Sequence, residues 1–313
     1  ENINRTIFNY ANFLSAEWKL NDQLSLRPGA RLALSDQFDS QFNYSFTAKY
    51  NFSEKSDLRG VFGSANRFPT YTELYTYLVD NNHDIRGNAD LTPETGYSTG
   101  LFWDYNPATA GQWKFNLSFS GMYLQVKDRI ESVITNPSPL QYTYVNVDDY
   151  KSVLLGGSLN IRKDNLSINT GISAMGISRV MNTGKLTSPD DYNFYVEANL
   201  AANYTFAKTN TLLALYYKYT GKNRQYVHRS NSSDPLDAGE YVLGEIDAFN
   251  MLNFTVSQPF FNNHFEISLG IKNIFDVSSI RNTTAVGDGH NAGDNNQNLF
   301  YGRSYFARLN YNF

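Results

Sequence analysis

The chain has 313 residues, of which 41% belong to the hydrophobic set, and its formal net charge is −4. It contains no run of about 18 or more apolar residues, which excludes a transmembrane helix, and its mean hydropathy of −0.46 agrees. The charges are spread along the chain, and no basic run with interleaved aromatics indicates binding to nucleic acid. The absence of cysteine is compatible with an exported protein, because oxidising compartments disfavour stray thiols.

Apolar and polar side chains alternate with a period of two along most of the chain, and aromatic residues make up 15% of it. In segment 263–275, for example, one face carries Phe265, Ile267, Leu269 and Ile271, and the other carries Glu266, Ser268, Gly270 and Lys272. Such runs persist for about ten residues or more, as a tilted strand needs in order to cross a bilayer. Soluble β-sandwiches also alternate, but over strands of roughly 5–6 residues. The pattern therefore favours an antiparallel transmembrane β-barrel, in an all-β chain.

We predict thirteen strands, and signals for helices are nearly absent, because no capped amphipathic segment with helical spacing is evident. In chain order the predicted strands are 6–19, 23–35, 40–52, 57–66, 94–105, 112–131, 147–162, 165–181, 191–206, 209–224, 246–258, 263–275 and 299–312.

The predicted connections alternate strictly between short and long, as they do in outer-membrane barrels with short periplasmic turns and long extracellular loops. The short ones are predicted near 21–22, 53–56, 106–111, 163–165, 207–209 and 259–263, and the long ones near 36–39, 67–93, 132–146, 182–190, 225–245 and 276–298. The first long connection, 36–39, is a weak case, because it has only four residues. This parity predicts a periplasmic C-terminus.

Thirteen is an odd number, whereas bacterial single-chain barrels have an even number of strands. An open edge in hydrocarbon leaves backbone groups without hydrogen bonds, so the barrel has to close. We therefore expect residues 1–313 to be the C-terminal part of one barrel domain, with the remaining strands upstream or on a separate chain.

Four motifs resemble those of TonB-dependent outer-membrane receptors. The first combines Arg67, Phe68 and Pro69 with Glu73, and the second is a box that contains Asn88, Leu91, Pro93 and Glu94, with Ala89 where the family usually has proline. The third is the strand end Ile271–Asp276, and the fourth is the closing strand from Gly302 to Phe313. Each motif is weak alone, but their order and spacing together identify the chain with this family.

This resemblance implies a barrel of about 22 strands in the bacterial outer membrane, in contact with the lipid bilayer and lipopolysaccharide. It also implies a plug domain upstream, through which the TonB complex of the inner membrane acts. Tyr311 and the terminal Phe313 resemble the signal that the barrel-assembly machinery recognises; the alternative is that Phe313 is an ordinary last strand residue. Pro69 is expected to end its strand and release a long loop.

The resemblance implies import of a scarce nutrient, most simply a ferric siderophore or haem, and no resident cofactor. Haem receptors of the family carry an axial histidine between the first two motifs, which makes His83 a candidate haem ligand; the alternative is an exposed loop histidine. In the long loop 225–245 and its flank, arginine, tyrosine and histidine side chains could hold an anionic ferric chelate, although ordinary loop polarity would look the same. These candidates are Arg224, Tyr226, His228, Arg229 and Tyr241.

No motif of a nucleophile elbow, a phosphate loop or a zinc protease occurs, so we expect no enzyme. Two other functions stay open. A passive porin-like barrel would leave the first two motifs unexplained, and a barrel enzyme would need partners for the four histidines that the sequence does not offer.

Overall fold

The computed structural model describes residues 6–80, 84–107, 112–137, 140–181, 186–229, 239–284, 296–298 and 300–311. Its elements in chain order are β1 (Asn9–Ser15), β2 (Trp18–Lys19), β3 (Leu24–Ser35), β4 (Gln41–Ser53), β5 (Ser56–Arg67), α1 (Tyr71–Tyr75), β6 (Tyr77–Val79), β7 (Asp84–Arg86), β8 (Glu94–Tyr105), β9 (Lys114–Pro137), β10 (Leu140–Lys163), β11 (Leu166–Val180), β12 (Asn193–Thr205), β13 (Leu212–Thr220), β14 (Asn223–Arg229), β15 (Glu240–Ile246), β16 (Phe249–Phe260), β17 (Phe265–Lys272), β18 (Ser279–Arg281), β19 (Asn296–Asn298) and β20 (Ser304–Tyr311). Among the described residues, no helix is long and apolar enough to cross a membrane.

Sixteen of these strands form one sheet, and thirteen of them follow one another in the order β1-β3-β4-β5-β8-β9-β10-β11-β12-β13-β16-β17-β20. The other three, β2, β6 and β7, pair off this path. Every neighbouring pair along this path is antiparallel. The predicted fold class and the predicted number of wall strands are thus confirmed. β8 begins and ends where the alternation placed it, at Glu94 and Tyr105.

The register brings apolar side chains of successive strands into continuous rows on one face of the sheet. One such row passes through Ala202, Leu215, Phe254, Ile271 and Tyr305, each the direct partner of the next. Polar residues occupy the other face, where the Ser257 and Ser268 hydroxyls lie 2.8 Å apart. A sheet with this division suits a barrel wall that faces lipid on one side and a polar lumen on the other.

The predicted short connections lie at one end of the sheet, as the predicted parity requires; residues 108–111 of one of them lie outside the described part of the chain. Three of them contain residues with left-handed backbone conformations, at Asp164 (φ 47°), Asn210 (φ 55°) and Asn263 (φ 69°). Asp and Asn tolerate this region better than other non-glycine residues, because their short side chains bond to the nearby backbone. The turns are tight for that reason, and the long connections gather at the opposite end.

The structure adds strands inside segments that the sequence assigned to long connections. β9 continues as far as Pro137, and β10 begins already at Leu140, so the two strands occupy most of the predicted loop 132–146. This extension is stabilised by parallel pairing of β7 with residues 141–143 of β10. Residues 223–229 and 240–246 form the hairpin β14–β15 in place of the predicted loop 225–245, and β18 pairs with β19.

The structure also contains one short helix that the sequence did not predict, the five-residue α1 between β5 and β6. The sequence signal for this helix is a capping box formed by Thr70 and Glu73. In it, the side chain of each residue accepts a hydrogen bond from the backbone N–H of the other. A single helical turn offers too few residues for a 3.6-residue period to appear in the sequence. The predicted strand 6–19 is also interrupted, between β1 and β2.

Candidate functional site

The two motifs around the predicted loop 67–93 come together in one ion-pair cluster. Arg67 ends β5 and is the direct register partner of Glu94, the first residue of β8. One Nη atom of Arg67 lies 2.6 Å from Glu94 Oε1, and the other lies 2.8 Å from Glu73 Oε2. Both carboxylates are only 15% exposed, so the guanidinium bridges two half-buried anions. Charge-assisted pairs of this kind are stronger than exposed ones.

Glu73 also closes the N-terminal end of α1. Its carboxylate accepts hydrogen bonds from the Thr70 backbone N–H (2.7 Å) and hydroxyl (2.9 Å), and its own N–H donates to Thr70 Oγ1 (3.3 Å). Partial burial raises the pKa of Glu73, but the hydrogen bonds from Arg67 and Thr70 outweigh it, so the net pKa lies below its ordinary value. The carboxylate is therefore held in its charged form.

Beside this cluster lies a small apolar core made of Leu74, Leu91 and Ile130, each no more than 7% exposed. Tyr75 and Tyr144 pack against it. The three core residues come from α1, from the second motif and from β9, so the core seals the segment 68–93 against the wall. Pro69 is fully buried nearby. It therefore belongs to a packed connection, rather than only releasing a loop as the sequence suggested.

Backbone contacts complete the attachment of the second motif. The Asn88 amide donates to the Tyr144 carbonyl (2.9 Å), its Oδ1 accepts from the Asp90 N–H (2.9 Å), and its backbone N–H donates to the Glu73 carbonyl (2.8 Å). Gly87 lies so close to α1 that an added Cβ would be 2.5 Å from the Tyr75 nitrogen. Only glycine fits this approach.

The remaining motif residues fix the two ends of the segment. Phe68 stacks on Phe38 of the β3–β4 connection, with ring centroids 5.8 Å apart and planes inclined by 12°. Just before Pro93, the backbone N–H and carbonyl of Thr92 form hydrogen bonds of 2.9 and 3.0 Å with the side chain of Asn146. The family motifs thus build a clamp between the segment 68–93 and the wall. We use the name motif clamp for Arg67, Glu73, Glu94, Leu74, Leu91 and Ile130.

The predicted cluster at loop 225–245 is only partly brought together. Arg224 lies 3.5 Å from Glu245, its direct partner across the β14–β15 hairpin. Lys222 (3.0 Å) and Arg281 (4.0 Å) also lie beside Glu245, and the hydrogen bond from Lys222 holds the pKa of this carboxyl below its ordinary value. Arg224 is therefore engaged within the protein.

The other predicted loop residues have separate surroundings. The Tyr226 hydroxyl donates to Asp191 (3.3 Å), and Arg229 donates to the Thr283 carbonyl (3.1 Å). His228 and Tyr241 are register partners in the hairpin, but the side chain of His228 lies outside the described part of the structure. His83 and Phe313 lie outside the described residues, and Tyr311 packs on Phe265 with ring centroids 4.7 Å apart.

Sequence analysis did not identify a charged group next to the motif clamp. Arg129 and Glu131 flank Ile130 on β9, and Arg179 on β11 contacts the Glu131 carboxylate directly. Arg129 Nε lies 3.5 Å from Glu131, and its guanidinium carbon is 4.1 Å from the centroid of the Tyr150 ring. No sequence signal joins residues 129 and 179, because only the sheet register brings them together.

Residues 2–274 match the family profile described as TonB dependent receptor-like, beta-barrel. No curated protein matches the chain. Among solved structures, it resembles the FrpB iron transporter from Neisseria meningitidis, with a TM-score of 0.70 and 16% identity over 97% of this chain and 45% of that one. It also resembles a mutant of the ferric enterobactin receptor PfeA from Pseudomonas aeruginosa, with a TM-score of 0.67 and 17% identity over 98% and 45%.

A third similar structure is the siderophore receptor PirA from Acinetobacter baumannii, with a TM-score of 0.69 and 15% identity over 97% of this chain and 46% of that one. The chain thus spans less than half the length of these structures. At these identities the similarity establishes the fold, and it agrees with the wall architecture described above.

Proposed function

The chain belongs to the TonB-dependent receptor β-barrel family, and from this premise we propose that it forms part of the wall of an outer-membrane importer for an iron chelate. The family and the similar structures are receptors and transporters rather than enzymes. A ferric siderophore is the cargo that the neighbours' names support best, since one is an iron transporter and others bind siderophores. Haem is the second candidate cargo.

One observation supports this proposal: the described parts of the connections 67–93, 132–146 and 225–245 are folded into packed or paired structure at one end of the sheet. The motif clamp, the β9–β10 extension and the β14–β15 hairpin each give this end a fixed polar surface. A receptor that captures a scarce cargo needs such a pre-formed mouth, because ordering loops during binding costs affinity. A passive pore has no such need.

In the proposed mechanism the wall contributes shape and a polar lumen, and it performs no covalent chemistry. The folded connections face the outside of the cell, and the short turns and the C-terminus face the periplasm. A barrel of about 22 strands is wide enough to need a plug, which we propose lies upstream of this chain. The remaining strands lie upstream or on a separate chain in this proposal. TonB would act on that plug to release the cargo inward.

This proposal has a direct test in cells that carry the full-length receptor gene. Uptake of radiolabelled iron, supplied as a triscatecholate chelate, as citrate or as haem, is compared between TonB-proficient and TonB-deficient strains. We expect uptake only in the proficient strain and only in cells that carry the receptor gene. Uptake that is independent of TonB would indicate a passive barrel and contradict the proposal.

A further inference from the structure

Lys163, the last residue of β10, lies on the lipid-facing side of the wall. The apolar row that passes through Ala202 continues through Ile168, Ile161 and Phe115, each again the direct partner of the next. Lys163 follows Ile161 by two positions, so its side chain belongs to this same face. The short turns lie at this end of the sheet, which is the periplasmic end in the proposed function.

A charged side chain is exceptional at this place. In the described strands of the wall, Lys163 is the one charged residue that the register puts on the lipid face near the short turns. Its neighbours Lys114 and Arg162, which are register partners, belong to the lumenal face instead. A charge beside hydrocarbon is costly unless its head reaches the polar interface. The position of Lys163 therefore indicates a role at the lipid headgroups.

The ammonium group of Lys163 has an aromatic neighbour but no carboxylate partner. Its Nζ atom lies 4.9 Å from the centroid of the Trp113 ring, which stacks on Phe115 at 6.2 Å with planes inclined by 16°. No carboxylate among the described residues forms an ion pair with it. The adjacent carboxylate, Asp164, accepts hydrogen bonds from the Gln112 amide at 3.1 and 3.2 Å. The ring holds the cation in place, and the cation stays available to an anion.

The surface beside Lys163 is suited to acyl chains. The register row runs from Lys163 through Leu166 to Tyr204, so an aliphatic side chain lies between two aromatic groups. Tyr204 forms an edge-to-face pair with Phe206, at 5.0 Å between ring centroids, and each of the two is 43% exposed. Aromatic rings of this kind occupy the membrane interface, where their polar edges meet the headgroups.

A second cation lies on the neighbouring turn. The Thr205 N–H donates to the Asn165 carbonyl (3.0 Å), which places the β12–β13 turn beside the β10–β11 turn. Lys208 in the β12–β13 turn is exposed and forms no ion pair with a described residue. Asp164 is the one carboxylate on these two turns. With Lys163 and Lys208, this corner of the wall keeps an excess of one positive charge.

We propose that Lys163 and Lys208 bind the headgroup phosphate of an anionic phospholipid in the inner leaflet of the outer membrane. The acyl chains lie over Leu166, between the ring pairs Trp113–Phe115 and Tyr204–Phe206. The inner leaflet supplies this ligand because it consists of phospholipids, of which phosphatidylglycerol and cardiolipin are anionic. This inference rests on the orientation given in the proposed function, with the short turns toward the periplasm, and it does not depend on the cargo.

The test uses the full-length receptor, purified in detergent. Native mass spectrometry measures its binding of phosphatidylglycerol and of phosphatidylethanolamine with identical acyl chains. The variants are Lys163→Gln, Lys163→Arg and the control Lys114→Gln. Lys114 is an exposed lysine at the same end of the neighbouring strand β9, on the lumenal face. Heat-modifiable migration in gels verifies that each variant is folded.

The wild-type receptor should bind phosphatidylglycerol about fivefold more tightly than phosphatidylethanolamine, the effect of one cation near anionic headgroups. Lys163→Gln should remove most of this preference, and Lys163→Arg should keep it. Lys114→Gln should also keep it, although this variant loses the same charge. Equal binding of the two lipids by the wild type, or an unchanged preference in Lys163→Gln, would overturn the proposal. An equal loss in Lys114→Gln would assign the preference to net charge and overturn it as well.

A competition experiment distinguishes a lipid from a free phosphate ester. Soluble glycerol 3-phosphate in large excess should leave phosphatidylglycerol bound, because it has no acyl chains to lie over Leu166. Its displacement of the lipid would overturn the lipid assignment. A Lys163-dependent lipid preference in a receptor that imports no iron chelate would leave this site standing while the proposed function fails. TonB-dependent iron uptake with lipid binding that is independent of Lys163 would have the reverse meaning.

Discussion

The backbone N–H of Ile130 donates a hydrogen bond of 2.8 Å to the Glu94 carboxylate, across 36 residues of sequence. The same oxygen, Oε1, accepts the 2.6 Å hydrogen bond from Arg67. One carboxylate at the start of β8 therefore connects the end of β5 to the middle of β9. In this structure the arginine and the two glutamates of the motifs therefore position the neighbouring wall.

The first prediction concerns the removal of this carboxylate. Glu94→Ala should destabilise the segment 68–93 by about 1.5–3 kcal/mol, because Arg67 and the Ile130 N–H both lose a charge-assisted partner. Hydrogen–deuterium exchange of peptides from 68–91 and from 126–134 should accelerate together, while exchange in β17 stays unchanged.

Arg27→Ala is the matched control for this prediction. Arg27 and Glu17 form an ion pair whose side chains are 62% and 46% exposed, and exposed pairs contribute little. Exchange should not change measurably in this variant. If Glu94→Ala leaves segment 68–91 as protected as in the wild type, the motif clamp is not what holds it.

The wall could be predicted from sequence because its physical signal is local and repeated. Phe265, Ile267, Leu269 and Ile271 alternate with polar residues, and the structure places them in one strand with one apolar face. The turns are also predictable, because they contain residues such as Asp164 and Asn210, whose side-chain types tolerate the left-handed conformations found there. Both signals can be recognised without knowing which strands are neighbours in the sheet.

The connections could not be predicted because their structure depends on distant partners. The three residues of β7 form a strand by pairing with β6 and with residues 141–143, far along the chain. Most of the β14–β15 hairpin falls in the predicted loop 225–245, because residues such as Arg229 and Glu240 interrupt its apolar pattern. The Arg129–Arg179 pair has no sequence signature at all, since only the register of β9, β10 and β11 creates it.

The second prediction concerns Gly87. A Cβ at this position would lie 2.5 Å from the Tyr75 nitrogen and 2.6 Å from the Leu74 carbonyl atoms, all of them backbone atoms that cannot yield cheaply. Gly87→Ala should therefore separate α1 from the second motif and increase proteolytic cleavage between residues 70 and 90.

Gly60→Ala provides the comparison for Gly87→Ala. An added Cβ there meets only the Leu101 side chain, at an ordinary 3.5 Å, and the variant should resist proteolysis like the wild type. Equal resistance of both variants would mean that the close approach at Gly87 does not constrain the segment.

The third prediction follows from the pKa of Glu73, which lies below its ordinary value of 4.5. A carboxyl group with a depressed folded-state pKa stabilises the fold above its ordinary value, and this stabilisation is lost as the pH falls through the folded-state pKa. The free energy of local opening of segment 70–91 should therefore decrease between about pH 5 and pH 3. Hydrogen exchange, corrected for the intrinsic rate at each pH, measures it.

Glu73→Gln tests the assignment to this group. The variant should open more easily at neutral pH, because Arg67 and the Thr70 N–H lose an ionised acceptor. Its opening free energy should also vary less with pH than that of the wild type. The same acid sensitivity in Glu73→Gln as in the wild type would assign the effect to another carboxyl group.

The last prediction concerns His83, which stays a candidate haem ligand on sequence grounds alone. In the sequence, His83 immediately precedes β7, which begins at Asp84 and pairs with the extended part of β10. If haem is the cargo, titration of the full-length receptor should give a Soret band of ligated haem, and His83→Ala should lower haem affinity about tenfold or more, since an axial imidazole bond is lost. His264→Ala, which alters a histidine on the short turn at the other end of the sheet, is the control. An unchanged Soret band and affinity in His83→Ala would remove His83 as a ligand.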